Sequence, residues 1–327
     1  MNLAIVGYGG IAAFHAEALQ AIPGTRLHAV VGRRAARAEA FARQWQAARW
    51  GTDLAAVLAD PALDGVIVAS PSECHAAMAL ACIEAGKPAL VEIPLALSAG
   101  LAQQVAEAAR QRGVPVMVAH TRRFQPVQVF VHELLASGRL GRVHQHHTFS
   151  FWLRHENVGW TGYQRSWVDD VLFHHGCHLV DFSMWCVGRP VCRVLGELSP
   201  VDPRTGTSLD VSLLIRYAGD AIATVSLSYN ARRAASGDRF ICDGGLLELE
   251  GGQARLDGEV VFTAEGQGGL AAGVLAQDRE FVAAVRDGRA VTCDAAVAVA
   301  ALAVLQQVYD QTVAREGTER YSRPWQG

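Results

Sequence analysis

Leu3-Ala4-Ile5-Val6-Gly7-Tyr8-Gly9-Gly10-Ile11-Ala12 stands at the head of the chain. The apolar run Leu3–Val6 reads as a buried strand, and the glycines after it read as a turn into a helix. The pattern is G-x-G-x-x-A, a permitted form of the dinucleotide fingerprint. Gly7 suits the tight strand-to-helix turn. Gly9 lets backbone approach a pyrophosphate, whose charge would sit on the helix N-terminus at Gly10 and Ile11. Ala12 allows the helix to pack closely on the strand.

The same alternation runs outward to about His120. Leu27–Val31, Gly65–Ala69, Ala89–Glu92 and Val116–Ala119 read as strands. Ile11–Ala21, Arg34–Gln46, Leu54–Leu58, Cys74–Ala85 and Ala99–Arg112 read as helices. Strands alternating with helices predict a doubly wound parallel sheet, so residues 1–120 are expected to form a Rossmann domain. Residues 121–327 change character. Helices are expected at Pro126–Ser137 and Asp169–Val187. Strands follow at Arg142–Trp152, Cys192–Leu198, Ser208–Tyr217, Ala221–Tyr229, Phe240–Cys242 and Leu246–Glu250, with few helices between them. Such a run indicates an α+β domain with an open antiparallel sheet. Helices return at Gln277–Arg286 and Ala295–Ala314, and the terminal helix is expected to pack back on the first domain.

With 327 residues, half of them apolar and 19% charged, the chain can bury two substantial cores. The net charge of −3 gives no electrostatic ground for nucleic acid or membrane surfaces. Lys87 is the only lysine. The seven scattered cysteines form no metal-ligand spacing and read as reduced thiols of a cytoplasmic protein. Met1 leads straight into a strand, so no signal peptide is expected. The longest apolar run, around Ala295–Leu305, reads as a buried helix rather than a membrane span.

The end of the second strand, Val31-Gly32-Arg33-Arg34, carries no acid for a ribose 2′-hydroxyl. Arg33 and Arg34 could instead meet a 2′-phosphate, so NADP is the expected cofactor and NAD the alternative. His75 follows a strand–turn and is expected to pack near the cofactor. In His174-His175-Gly176-Cys177-His178, the residues His174, His178 and Asp181 share one helix face, while Phe173, Cys177, Val180 and Met184 share an apolar one. Gly176 suggests that a nicotinamide or substrate ring comes close. No acidic third ligand is evident near this pair, so no metal is expected. His144 and His146 share a strand face and read as surface or interface residues. Arg122 and Arg123 lie just past the carboxyl end of Val116–Ala119, where parallel sheets bind ligands, and Arg165 could join them. Arginine forks match carboxylates bidentately, so a carboxylated substrate would suit these three.

The stretches GYGGIAAFH, ASPSECHAAMALACIEAGKPALVEIP and GCHLVDFSMWCVG resemble the glucose–fructose oxidoreductase/inositol dehydrogenase/MocA family over nearly the whole chain. The resemblance implies a small-molecule dehydrogenase with a Rossmann domain and a C-terminal α+β domain, often oligomeric through its sheet. It adds Ser70, Pro71 and Glu92 to the cofactor contacts. Two departures stand out. The family's Glu-Lys-Pro is Glu92-Ile93-Pro94 here, and its Asp-x-Gly-x-His is His174-His175-Gly176-Cys177-His178. The usual catalytic lysine and aspartate are therefore Ile93 and His174, and only His178 matches directly.

VEIP, His120–Phe124, Arg165-Ser166-Trp167 and HHGCHLVD resemble one branch of the family, which oxidises a carboxylated cyclic hemiacetal to a lactone with NADP. On that reading His178 is the general base and His174 its partner or alternative. A sugar or polyol dehydrogenase with an altered proton relay, and a non-catalytic NADP-binding regulator, are the other readings. A homo-oligomer is expected.

Overall fold

The computed structural model describes every residue except 160–161, 163–165, 168–169, 265–268 and 317–327. The chain begins β1 (Asn2–Val6), α1 (Gly10–Ala21), β2 (Arg26–Val31), α2 (Ala35–Gln44), β3 (Arg49–Gly51), α3 (Leu54–Leu58), β4 (Gly65–Val68), α4 (His75–Glu84), β5 (Ala89–Val91), α5 (Ala99–Arg112) and β6 (Val116–Val118). It continues with α6 (Pro126–Ala136), β7 (Val143–Leu153), a π-helical turn (Val171–His175), α7 (Gly176–Val187), β8 (Val191–Leu198), β9 (Asp210–Tyr217), β10 (Ile222–Ser228) and β11 (Asn230–Cys242). The last elements are β12 (Gly245–Glu250), β13 (Gln253–Leu256), β14 (Glu259–Thr263), α8 (Leu270–Asp287) and α9 (Ala295–Glu316).

These elements make two compact units. One contains Met1–Thr121 and Ala271–Ala300; the other contains Arg122–Asn157, Ser166–Leu270 and the chain from Ala301 onward. The first unit is built on a parallel sheet in the order β3-β2-β1-β4-β5-β6. Order reverses between β1 and β4, the crevice where open α/β sheets take ligands. The apolar runs of β1, β4 and β5 are buried on both faces, as strands covered by helices on both sides must be. The returning segment is tied to β6, where the Val118 amide donates to the Cys293 carbonyl at 2.7 Å.

The second unit holds an eight-stranded sheet in the order β14-β13-β12-β11-β7-β10-β9-β8. It is largely antiparallel, as expected, but β7 and β10 run parallel. In β9 every second residue is buried, so one face covers a core and the other is open. Val131 and Leu135 of α6 and Phe182 of α7 pack on Phe240, Leu247 and Leu249. By length and composition α9 is long and apolar enough to cross a membrane. Ala298, Ala301, Leu302, Leu305 and Val308 are nevertheless buried inside the protein, so α9 is a core helix here.

Candidate active site

The dinucleotide turn is built as its sequence requires. Gly7 has a φ of +124°, and a Cβ there would lie 2.2 Å from the Ala69 carbonyl oxygen. A side chain is excluded by backbone on one count and by conformation on the other. Gly9 differs, because a Cβ there would meet nothing within 4 Å. Its missing side chain leaves room for something outside the chain. The first turn of α1 from Gly10 and Ile11 has no acidic residue and no side-chain cap, so its amide donors face an anion site unspent. These features fit a bound pyrophosphate. Ser70 and Pro71 follow β4, the neighbour of β1, and Glu92 follows β5, the next strand beyond it. The ring nitrogens of His75 lie 2.8 Å from the carbonyl oxygens of Pro94 and Ser70. This buried histidine ties the β4 and β5 loops together.

At the end of β2 the Tyr8 ring lies over Gly32, where a Cβ would fall 2.2 Å from Tyr8 Cε1. The ring occupies the place an acidic side chain at position 32 would take. Arg33 and Arg34 follow, both exposed.

Sequence reasoning missed a buried chain of charges in this unit. His15, on the inner face of α1, contacts Glu92 through Nε2 at 3.0 Å and Asp278 of α8 through Nδ1 at 2.8 Å. The side chains of His15 and Asp278 are fully buried, and Glu92 is 13% exposed. Burial drives the imidazole toward its neutral form, but the two carboxylates outweigh it and raise the pKa to about 10. His15 is therefore a cation, and it fixes the Glu92 carboxylate at the carboxyl end of β5. A polar residue between Ala12, Ala16 and Leu19 on a buried helix face was the available signal.

In the second unit Asp170 caps the π-helical turn, accepting from the Leu172 and Phe173 amides at 2.9 and 3.0 Å. That turn, common at functional sites, replaces the first turn of the expected continuous helix. The structure does bring His174 and His178 together, with ring centroids 6.5 Å apart and planes at 81°. Both are half-buried, while Phe173, Cys177, Leu179 and Val180 around them are buried. Gly176 is explained otherwise than expected. A Cβ there would lie 3.1 Å from Leu305 and 3.5 Å from Leu227, so the glycine makes room for core leucines rather than for a nicotinamide or substrate ring.

Both described arginines of the expected substrate clamp have internal partners. Arg122 bonds Asp238 at 2.6 Å and lies over the Phe182 ring at 4.2 Å. Although burial works against its charge, the Arg122 guanidinium and His146 hold the Asp238 carboxyl down to about 2. Arg123 donates to both oxygens of Asp181, at 2.8 and 2.6 Å. These forks are matched by protein carboxylates, which local spacing could not reveal. Arg165 lies outside the described residues. His146, expected at a surface, is fully buried between Asp238 at 3.1 Å and Ser183 at 2.9 Å, and its ring stacks on Phe240. Burial lowers its pKa and favours the neutral ring. His144 stays exposed beside Asp243.

A Rossmann sheet with a turn shaped for pyrophosphate, in a chain whose second unit carries a pair of accessible imidazoles, defines a dinucleotide-dependent oxidoreductase. Residues 1–120 match the oxidoreductase family with an NAD-binding Rossmann fold, and residues 126–250 match the bacterial oxidoreductase C-terminal family. The chain is similar to a 4-carboxy-2-hydroxymuconate-6-semialdehyde dehydrogenase of Sphingobium sp. (strain NBRC 103272 / SYK-6), 33% identical over 296 residues, which cover 88% of this chain and 91% of that one. It is also similar to an inositol 2-dehydrogenase of Saccharopolyspora erythraea, 35% identical over 58% of this chain and 55% of that one. Among solved structures, GenD2 from gentamicin A biosynthesis, in complex with NAD, superposes with a TM-score of 0.84 at 29% identity, covering 97% of this chain and 95% of that one. The chain belongs to the glucose–fructose oxidoreductase/inositol dehydrogenase/MocA family and is an NAD(P)-dependent dehydrogenase acting on a CH–OH group.

Proposed function

We propose that the protein oxidises a carboxylated cyclic hemiacetal, of the 4-carboxy-2-hydroxymuconate-6-semialdehyde type, to a lactone with NADP. The observation that carries this reading is the half-buried His174–His178 pair at the start of an otherwise buried helix. It stands beside the reading that Ile93, which is buried, takes the place of the family's lysine. Oxidation at CH–OH removes a hydride from carbon and a proton from oxygen. The bound dinucleotide supplies the hydride acceptor. His178 takes the hydroxyl proton, a task imidazole suits near neutral pH, and His174 next to it orients the ring or accepts the proton onward.

Gly9, Gly10 and Ile11 hold the pyrophosphate by backbone, with Ser70, Pro71 and Glu92 along the neighbouring strand ends. The Tyr8 ring over Gly32, followed by Arg33 and Arg34, supports NADP over NAD, because the end of β2 carries two cations and no acid. The chain works as a homo-oligomer through the open face of its eight-stranded sheet, where Leu195, Leu214, Ile222 and Ile241 are exposed. Light scattering checks that point.

The reading is tested by the absorbance of reduced nicotinamide. NADP and NAD are each offered with the carboxylated hemiacetal, with inositols and with simple sugars. Fast turnover of the hemiacetal with NADP is expected. Preference for an inositol, the substrate named for the Saccharopolyspora relative, would replace it with the polyol reading. Tight NADP binding without turnover of any substrate would favour a regulator.

A further inference from the structure

We propose that Arg154 is the anion-recognising end of the substrate site and binds a carboxylate of the substrate beside the imidazole pair. The inference rests on the functional reading above and names the group that would select its substrate class.

Arg154 directly follows β7, and its backbone amide donates to the Tyr229 carbonyl at 2.9 Å. Arg154 is half-buried. Its guanidinium lies 5.4 Å from the centroid of the Tyr229 ring and 5.8 Å from that of Trp167. Nη2 donates to Oδ1 of the buried Asn157, and Nη1 to the Tyr229 hydroxyl at 3.4 Å. Both partners are neutral. Arg122, Arg123 and Arg239 are half-buried guanidinium groups that each pair with a carboxylate. Among the described residues none pairs with Arg154. A half-buried cation without a counter-ion is costly, and two aromatic faces recover only part of that cost.

A second donor stands in the same place. The Trp152 Nε1–H is buried and has no acceptor among the described residues. The Trp152 ring lies 5.2 Å from that of His175, whose Nδ1 contacts the Tyr229 hydroxyl. His175 in turn lies 4.6 Å from His174, ring to ring. The indole donor therefore sits one ring away from His174, across His175, and the uncompensated positive charge two rings away, across Tyr229 and His175. What the cluster lacks is an acceptor with negative charge. A planar carboxylate matches the guanidinium fork, and the flanking rings of Trp167 and Tyr229 suit a flat, unsaturated acid. No pair of residues close in sequence announces this: β7, the segment at Trp167 and the end of β10 have to come together.

Calorimetry with isophthalate, a flat dicarboxylate, and with its neutral diamide as control tests the site on the NADP-loaded protein. Wild type should bind isophthalate and not the diamide. Arg154→Gln should weaken isophthalate roughly 10- to 100-fold and raise the substrate KM by a similar factor, with kcat at saturation nearly kept. Unchanged isophthalate affinity in folded Arg154→Gln would overturn the proposal. If that variant does not fold, Arg154→Lys keeps the charge and loses the fork. It should show a smaller fall in affinity, and no fall would overturn the proposal equally. The two readings fail separately. Arg154-dependent isophthalate binding in a protein that oxidises no hemiacetal would leave the anion site standing and remove the substrate assignment. Hemiacetal turnover with a KM indifferent to Arg154 would do the reverse.

Discussion

Charge is handled in opposite ways at two places in this molecule. In the first unit the cation His15 is enclosed by two carboxylates, Glu92 and Asp278, so its charge is met inside the protein. In the second unit Arg154 rests on aromatic rings and neutral oxygens. A matched buried charge holds the fold in place, and removing one partner strands the other. An unmatched one is stable enough to persist and has binding energy left for a ligand. Arg122 and Arg123 belong with His15 in this respect, although their position past β6 suggested the ligand-binding role that Arg154 fills.

The contrast breaks first at Arg123. Arg123→Ala would leave Asp181, 2% exposed, as a buried charge without its fork. A loss of about 3–5 kcal/mol in urea unfolding is expected. Arg154→Gln should lose no more than about 1 kcal/mol, the scale of its cation–π contacts. Equal losses from the two variants would erase the distinction between a structural and a ligand-facing arginine.

A second break point is Gly32. Gly32→Asp alone puts a side chain into the Tyr8 ring and should impair both cofactors. Gly32→Asp with Tyr8→Ala opens the space and supplies the acid. It should lower the NADP-over-NAD preference in kcat/KM roughly tenfold or more. If the single variant already gains NAD activity, the Tyr8 ring is not the obstacle.

The smallest effect concerns pH. Folding raises the His15 pKa from 6.5 to about 10, so the folded state holds this proton more tightly. The resulting stabilisation is complete below about pH 6.5 and is lost as pH rises through about 10. Asp278→Asn removes one of the two carboxylates and should move that loss to lower pH. Melting temperature across the alkaline range reads it. An alkaline profile identical to wild type would mean that the imidazole is neutral in the native protein.

These tests fall mostly where the sequence was silent. The β–α alternation of the first unit was legible because its strands are short, continuous apolar runs and its turn depends on glycines adjacent in the chain. β3 was not, since Arg49-Trp50-Gly51 has no apolar pattern and exists only by pairing with β2. The first half of β11, Asn230-Ala231-Arg232-Arg233-Ala234-Ala235-Ser236-Gly237, has no alternating apolar pattern and pairs with β7 only at Asn230 and from Ala235 onward, across an irregularity. β13 and β14 went unseen for a similar reason, their register being set across the sheet. The imidazole pair was legible from helical spacing, although the π-helical turn under His174 was not. The partners of Arg122, Arg123 and His15 lie 58 to 263 residues away, beyond any local pattern.

The central claim is that an imidazole does the work of the family's lysine. It is tested most directly by steady-state turnover of His178→Ala with NADP and the carboxylated hemiacetal. A fall in kcat of about 10²- to 10⁴-fold, with NADP affinity unchanged, is expected. Near-wild-type kcat in a folded variant would contradict it.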